Sequence, residues 1–140
     1  MRILVVDDSF FMRNYLMKML SEARYTDFLE AENGLKAIEL YEQYRPNLII
    51  MDLNMPVLDG LGALKEIMNI NPLASVLICT SMGGQKWIVD ELMEFGAQQV
   101  IEKPYFTDLV SAVNRLADEQ AKVLSPVSPP LNFEAGNSFY

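Results

Sequence analysis

The apolar residues of this chain fall into two kinds of segment that alternate along the sequence. The first kind is a short run in which every position is apolar and which ends at a charged or hydroxyl residue. Such runs occupy residues 3–6, 48–51, 76–79 and 100–101, and a weaker candidate occupies residues 26–31. Because every position is apolar rather than every second one, these runs predict strands covered on both faces, as in a parallel sheet.

The second kind of segment has apolar residues at helical spacing. The predicted helices carry the stripes Met12, Leu16, Met19 and Leu20; Ala37, Ile38 and Tyr41; Leu64, Ile67 and Met68; Ile88, Val89, Leu92 and Met93; and Leu109, Val110, Val113, Leu116 and Ala117. Ser9 is placed to cap the first helix, and Pro46, Pro72 and Gly96 fall where the second, third and fourth helices should end. Five strand–helix repeats predict an α/β fold: a doubly wound, five-stranded parallel sheet with helices on both faces.

The chain divides into one domain and a tail. A length of 140 residues fits a single domain, and the strand–helix alternation accounts for residues 1–124. Residues 125–140 begin with a Ser-Pro-Val-Ser-Pro-Pro run that cannot continue a helix, so we predict a C-terminal tail and no second domain. The tail carries four apolar anchor candidates: Leu131, Phe133, Phe139 and Tyr140. Packing of these anchors on their own domain or on a second copy is one interpretation, and order imposed only by crystal contacts is the other.

Composition limits the partners, the catalytic groups and the metal sites that this chain can have. The net charge of −8 disfavours nucleic acid and anionic membrane surfaces as partners. The absence of histidine and the single cysteine, Cys79, exclude the usual zinc sites, Ser-His or Cys-His pairs and an internal disulfide. No apolar stretch is long enough to span a bilayer and no signal peptide is evident, so the expected location is the cytoplasm.

The polar residues that end the strands define the candidate site. They are Asp7, Asp8, Asp52, Thr80, Ser81 and Lys103. In an open parallel sheet, ligands bind beyond the carboxyl ends of the strands, so these side chains should meet at one edge. Three close carboxylates repel one another unless a cation lies among them, and an all-oxygen set favours Mg²⁺.

Without histidine or a second cysteine, the best candidate nucleophile is a carboxylate, and Asp52 ends a central strand. Attack of Asp52 on phosphorus would form an acyl phosphate whose remaining oxygens would bind Lys103 and the Thr80 hydroxyl. Each residue alone also has a structural interpretation: an Asp-Asp-Ser run can be helix capping, and Lys103-Pro104 can be a simple turn. The coincidence of suitable groups at four strand ends favours a phosphoryl site.

These residues also carry a family resemblance. The motifs are Val5-Val6-Asp7-Asp8-Ser9, the run from Ile50 through Asp52 and Asn54 to Gly60, Thr80-Ser81, and Lys103-Pro104. Together they resemble the receiver domain of bacterial response regulators, in the stand-alone CheY-like form, over about residues 1–120. The resemblance implies a flavodoxin-like strand order, 2-1-3-4-5.

The resemblance also implies a role for each site residue. Asp52 would accept a phosphoryl group from a histidine kinase, and Lys103 would pair with that group beside a cis bond to Pro104. Mg²⁺ would be held by Asp8 and Asp52, by Asp7 through water and by the Asn54 carbonyl. Thr80 would be the switch hydroxyl, with Ser81 the small residue beside it.

Two features depart from the family pattern. Val100 stands three residues before Lys103, where the family usually carries a switch aromatic. The stretch from Thr80 to Gly96 is one residue longer than the commonest spacing in the family. Counting back from Lys103 at that common spacing would therefore put the switch hydroxyl at Ser81. We favour Thr80 as the switch hydroxyl because it directly ends the strand run.

The predicted output is phosphorylation-dependent binding of a target protein, with the chemotaxis type favoured. The expected docking face comprises the fourth helix, fifth strand and fifth helix, on a monomer or weak dimer. Alternatives are a phosphorelay carrier and a receiver-like binding module that is never phosphorylated. A haloacid-dehalogenase-like phosphatase would need a second aspartate where Asn54 stands, and an FMN carrier would suffer repulsion from Asp7 and Asp8.

Overall fold

The computed structural model describes residues 1–124, and the predicted tail at 125–140 lies outside these described residues. Strands and helices alternate in the order β1 (Arg2–Val6), α1 (Phe10–Glu22), β2 (Asp27–Ala31), α2 (Gly34–Tyr44), β3 (Leu48–Asp52), α3 (Gly60–Ile70), β4 (Val76–Thr80), α4 (Lys86–Glu94), β5 (Gln99–Glu102) and α5 (Leu109–Leu124). All five predicted strands and all five predicted helices are therefore present. The strand that sequence marked only weakly, β2, begins at Asp27.

The five strands form one parallel sheet in the order β2-β1-β3-β4-β5, which confirms the predicted topology. The register pairs Val6 with Met51 across β1 and β3, and Asp52 with Cys79 across β3 and β4. The strand order reverses direction between β1 and β3, and ligands of open α/β sheets bind outside the carboxyl ends of the strands at such a reversal. Asp7 and Asp52 lie at this point because each ends or follows one of these two strands.

The sheet is buried on both faces, as the continuous apolar runs predict. Alternate strand residues such as Leu4, Ile49 and Ile78 pack with α2, α3 and α4 on one face. The intervening residues, such as Ile3 and Ile50, pack with α1 and α5 on the other face. Two separate cores on one sheet therefore account for the absence of polar alternation in the strands.

Capping residues fix where the helices begin and end. Ser9, Asn33 and Asp59 each accept a backbone N–H hydrogen bond at the start of α1, α2 and α3. Gly96, with φ of 112°, follows α4 where the sequence predicts its end. Within the predicted stripe of α4, Leu92 is buried and Met93 is exposed. Within residues 1–124, no helix is long and apolar enough to cross a membrane.

Gly60 holds the loop after β3 close to the end of that strand. Its amide donates to the Leu53 carbonyl at 2.7 Å, and a Cβ at this position would overlap the Asp52 carbonyl oxygen. Gly34 is similar, because a Cβ there would lie 2.5 Å from the Leu58 carbonyl oxygen. Backbone atoms cannot move aside as a flexible side chain does, so glycine is required at both positions.

We therefore expect Gly60→Ala to lower the free energy of unfolding by about 2 kcal/mol, the usual size of an overpacking effect. Gly84→Ala is the matched control, because a Cβ there would meet only the Glu102 carboxylate at 3.7 Å. The control should change stability by less than about 0.5 kcal/mol. Urea unfolding of both variants measures the difference, and equal stabilities would contradict the close-approach explanation.

Candidate functional site

Three carboxylates meet at the carboxyl edge of the sheet. Asp7 and Asp8 follow β1 and Asp52 ends β3, and one oxygen from each lies within 4.8 Å of the others. Asp7 is 2% exposed and Asp52 is 8% exposed, whereas Asp8 faces solvent. The cluster is thus buried on one side and open to water on the other.

Local hydrogen bonds hold the buried carboxylate of Asp7 in place. The backbone amide of Ser9 donates to Asp7 Oδ1 at 2.9 Å, and the same serine caps α1 by accepting from the Met12 amide. The Asp-Asp-Ser run is therefore both helix capping and part of the acidic cluster. The structural interpretation and the functional interpretation of this motif are therefore compatible.

The ammonium group of Lys103 links the two buried carboxylates. Its Nζ lies 3.0 Å from Asp7 Oδ2 and 3.0 Å from Asp52 Oδ1. The Lys103 amide donates to the Thr80 carbonyl at 3.0 Å, which ties the loop after β5 to the end of β4. The bond between Lys103 and Pro104 is cis, as the resemblance implies.

The pKa values reflect this crowded arrangement. Burial raises the pKa of Asp52, Lys103 opposes that rise through its hydrogen bond and charge, and the Asp7 and Asp8 charges add to it. Burial by itself would lower the pKa of Lys103, but Asp52 and Asp7 outweigh burial and raise it, so the ammonium stays charged. Burial raises the pKa of Cys79 to about 12, so this thiol is neutral and is no candidate nucleophile.

The remaining predicted residues lie around the cluster at different depths. Thr80 ends β4 and is 1% exposed, and its Oγ1 accepts a hydrogen bond from the Met82 amide at 3.0 Å. Ser81 is exposed, as is Asn54 in the loop after β3. The structure thus places Thr80, rather than Ser81, inside the strand end.

Val100 occupies the middle of β5 and is half-buried, packed against the core on the α4 side together with Met82. Trp87, an aromatic residue in the first turn of α4, is exposed, and its indole N–H donates to Gln85 Oε1 at 3.0 Å.

Arg13 is the residue that sequence reasoning missed. Its Nη1 donates to the Asp7 carbonyl at 2.7 Å and its Nε donates to Glu30 Oε1 at 2.9 Å. One arginine thus joins the first turns of α1 to the end of β1 and to β2. Its spacing four residues after the Ser9 cap was the available signal, because that spacing turns a helical side chain back toward the cap.

The donor set suits a hard divalent cation. All three clustered side chains offer carboxylate oxygens, and the exposed side at Asp8 leaves room for water. Mg²⁺ is commonly bound through one or two carboxylates with several waters retained. The residues present therefore fit the metal that the sequence predicts.

Comparison with known proteins places this fold and site in a family. The family described as the response regulator receiver domain matches residues 3–114. The chain belongs to the response regulator receiver domain family.

The proteins that this chain resembles include a chemotaxis protein. Protein CcdB from Bacillus subtilis is 44% identical over 116 residues, covering 82% of this chain and 96% of that protein. Chemotaxis protein CheY from Thermotoga maritima is 38% identical over 117 residues, covering 83% and 97%. The crystal structure of the response regulator domain of Thermotoga maritima CheB superposes with a TM-score of 0.72 at 32% identity, covering 90% and 98%. The chain is thus a CheY-like two-component signalling protein with a receiver fold.

The raised pKa of Asp52 gives a prediction for stability without metal. A carboxyl whose pKa is higher in the folded than in the unfolded state loses stability as the pH rises through that range. Asp52→Asn should therefore be more stable than the natural chain near pH 7 in a chelator, and the gain should shrink toward about pH 4. Urea unfolding of both proteins at both pH values measures this difference in stability.

Asp59→Asn serves as the control, because it removes an exposed carboxylate but keeps a good N-cap for α3. A gain for Asp52→Asn that is equal at both pH values, or a loss near neutral pH, would contradict the electrostatic account.

Proposed function

We propose that the chain accepts a phosphoryl group from a histidine kinase on Asp52 and that this modification controls binding of a target protein. The observation that carries the proposal is the Lys103 ammonium held 3.0 Å from both Asp7 and Asp52 at the edge of the acidic cluster. A buried carboxylate, a fixed cation and an open approach side are what a carboxylate phosphoacceptor requires.

In the proposed reaction, an oxygen of Asp52 attacks phosphorus as the bond from phosphorus to the donor's histidine nitrogen breaks. The product is an acyl phosphate on Asp52, and the histidine takes up a proton. Lys103 neutralises charge on the transferred group, and the Thr80 hydroxyl is the candidate donor to a phosphoryl oxygen. Mg²⁺ held by Asp7, Asp8, Asp52 and the Asn54 carbonyl would offset the charge of the phosphoryl oxygens.

Apolar side chains around the site support a protein as the phosphoryl donor. Phe10 and Phe11 begin α1, Val57 lies in the loop after β3, and Tyr105 lies in the loop after β5. All four are exposed and belong to elements that start or end at the carboxyl edge of the sheet. Exposed aromatic residues around a polar centre are typical of protein-binding surfaces.

The target is proposed to dock on the face formed by α4, β5 and α5. Met93, Phe95 and Tyr105 offer exposed apolar side chains at or beside these elements. The Thr80 hydroxyl accepts from the Met82 amide, and movement of this hydroxyl toward a phosphoryl group would pull on the loop leading into α4. The similarity to chemotaxis protein CheY favours target binding over a relay role.

A small acyl phosphate such as acetyl phosphate tests the acceptor. With Mg²⁺ present, the intact protein should gain one phosphoryl group by mass, and hydroxylamine should remove it. Asp52→Asn should gain none, because an amide is a far weaker nucleophile than a carboxylate. Asp59→Asn should be phosphorylated as the natural chain is, and an adduct that persists in Asp52→Asn would overturn the assignment.

Mg²⁺ should also stabilise the folded chain. At a concentration about 100-fold above its dissociation constant, a ligand bound only to the folded state adds about 2.7 kcal/mol. Asp8→Asn should lose most of this gain, and because Asp8 is exposed, its substitution should leave the metal-free fold intact. Asp108→Asn, in the loop before α5, is the control that should keep the gain; equal responses of the two variants would contradict the metal site. Thermal unfolding with and without Mg²⁺ measures both.

A further inference from the structure

A groove lies at the edge of the domain opposite the acidic cluster. It has a volume of about 480 Å³, within the range of about 300–1,000 Å³ found for ligand pockets. Its wall residues come from the end of α2, the connection into β4 and the last turns of α5: Tyr41, Arg45, Leu73, Ser75, Gln120 and Val123. The phosphoryl chemistry does not use this groove, and none of the three apolar residues proposed for the docking face lines it.

Two apolar side chains of the groove are exposed among the residues 1–124 that the structure describes. Leu73 is 87% exposed and Val123 is 83% exposed, the two highest values among the large apolar residues that the structure describes. Both line the same cavity. Paired exposed apolar residues beside a concave surface indicate a site that another segment covers.

The walls of the groove are held by hydrogen bonds. Asn71 Nδ2 donates to the Tyr41 hydroxyl at 2.9 Å, and Gln120 Nε2 donates to the Asn47 carbonyl at 2.9 Å. The second bond ties α5 to the connection before β3, and the first ties α2 to the connection before β4. The cavity is therefore preformed, so an occupant would not have to open it.

We propose that residues 131–134 of the same chain occupy this groove. Val123 lines the groove, and Pro126, which disfavours a continued helix, follows three residues later in the sequence. The six residues 125–130 span at most about 20 Å when extended, which keeps Leu131 and Phe133 within reach of the cavity. These two apolar side chains match the two exposed apolar side chains of the groove.

Arg45 and Glu119 are the charged residues that line the groove, and Glu119 already forms a salt bridge within α5. Glu134 is the one charged residue in the sequence of the segment 125–140. Arg45 lies over the Tyr41 ring at 5.5 Å, and within residues 1–124 it forms no salt bridge. Glu134 can pair with Arg45, and the covalent tether raises the local concentration of the segment to about the millimolar range.

Disulfide trapping in the full chain tests the proposal. Leu73→Cys with Phe133→Cys places one thiol on the rim and one in the segment, and the native Cys79 is buried and does not compete. The control pair is Ala121→Cys with Phe133→Cys, because Ala121 lies on another flank of α5 and nearer to position 133 along the chain. A tail with no preferred docking site would form the disulfide of the control pair faster, because the two cysteines of that pair are closer along the chain.

Under mild oxidation at low protein concentration, the Leu73 pair should form a monomeric disulfide at least about tenfold faster than the control pair, as a directed contact requires. Equal or slower closure would overturn the proposal, and so would crosslinked dimers alone, which would assign the groove to a second copy. Glu134→Lys should slow closure, and Arg45→Glu in the same chain should restore it. No response to either charge change would overturn the Glu134–Arg45 pairing.

Discussion

The placement of one ammonium group between two buried carboxylates is the constraint on which the site depends. Asp7 and Asp52 come from neighbouring strands whose ends meet because the sheet reverses its strand order there. Two buried anions at this distance would repel each other, and Lys103 offsets that repulsion from the loop after β5. The offset is partial, because one ammonium group faces a cluster of three carboxylates. The remaining excess of negative charge is what makes the cluster a good place for a divalent cation.

The fold could be predicted because β1, β3 and β4 each contain a run of at least four consecutive apolar residues. That pattern needs a cover on both faces, and only alternating helices supply one. The strand that the sequence predicted least clearly was β2, an edge strand whose Asp27 and Glu30 are exposed and interrupt the apolar run. Met93 lies in the α4 stripe but is exposed, since helical spacing marks a stripe but does not tell how wide the covered part is. The tail at 125–140 lies outside the described residues, so its predicted role stays a prediction.

The site could be predicted from the sequence where its residues lie at strand ends. Asp7, Asp8, Asp52 and Lys103 come together as predicted because parallel strands bring their carboxyl ends to one edge. Arg13 was missed because its spacing after Ser9 shows the direction of its side chain but not its partners, the Asp7 carbonyl and Glu30. The requirement for Gly60 is equally hidden, since it arises from a close approach of two backbones. The functional roles of these residues, including the switch role of Thr80, remain proposals that the geometry supports.

Locating the phosphoryl group on the chain tests the central claim most directly. After incubation with Mg²⁺ and acetyl phosphate, borohydride reduces an aspartyl phosphate to homoserine, and peptide mass spectrometry identifies the residue changed. The account predicts homoserine at position 52 only, and only when Mg²⁺ is present. Homoserine at Asp7 or Asp8, or labelling of position 52 that is equally strong in a chelator, would contradict it.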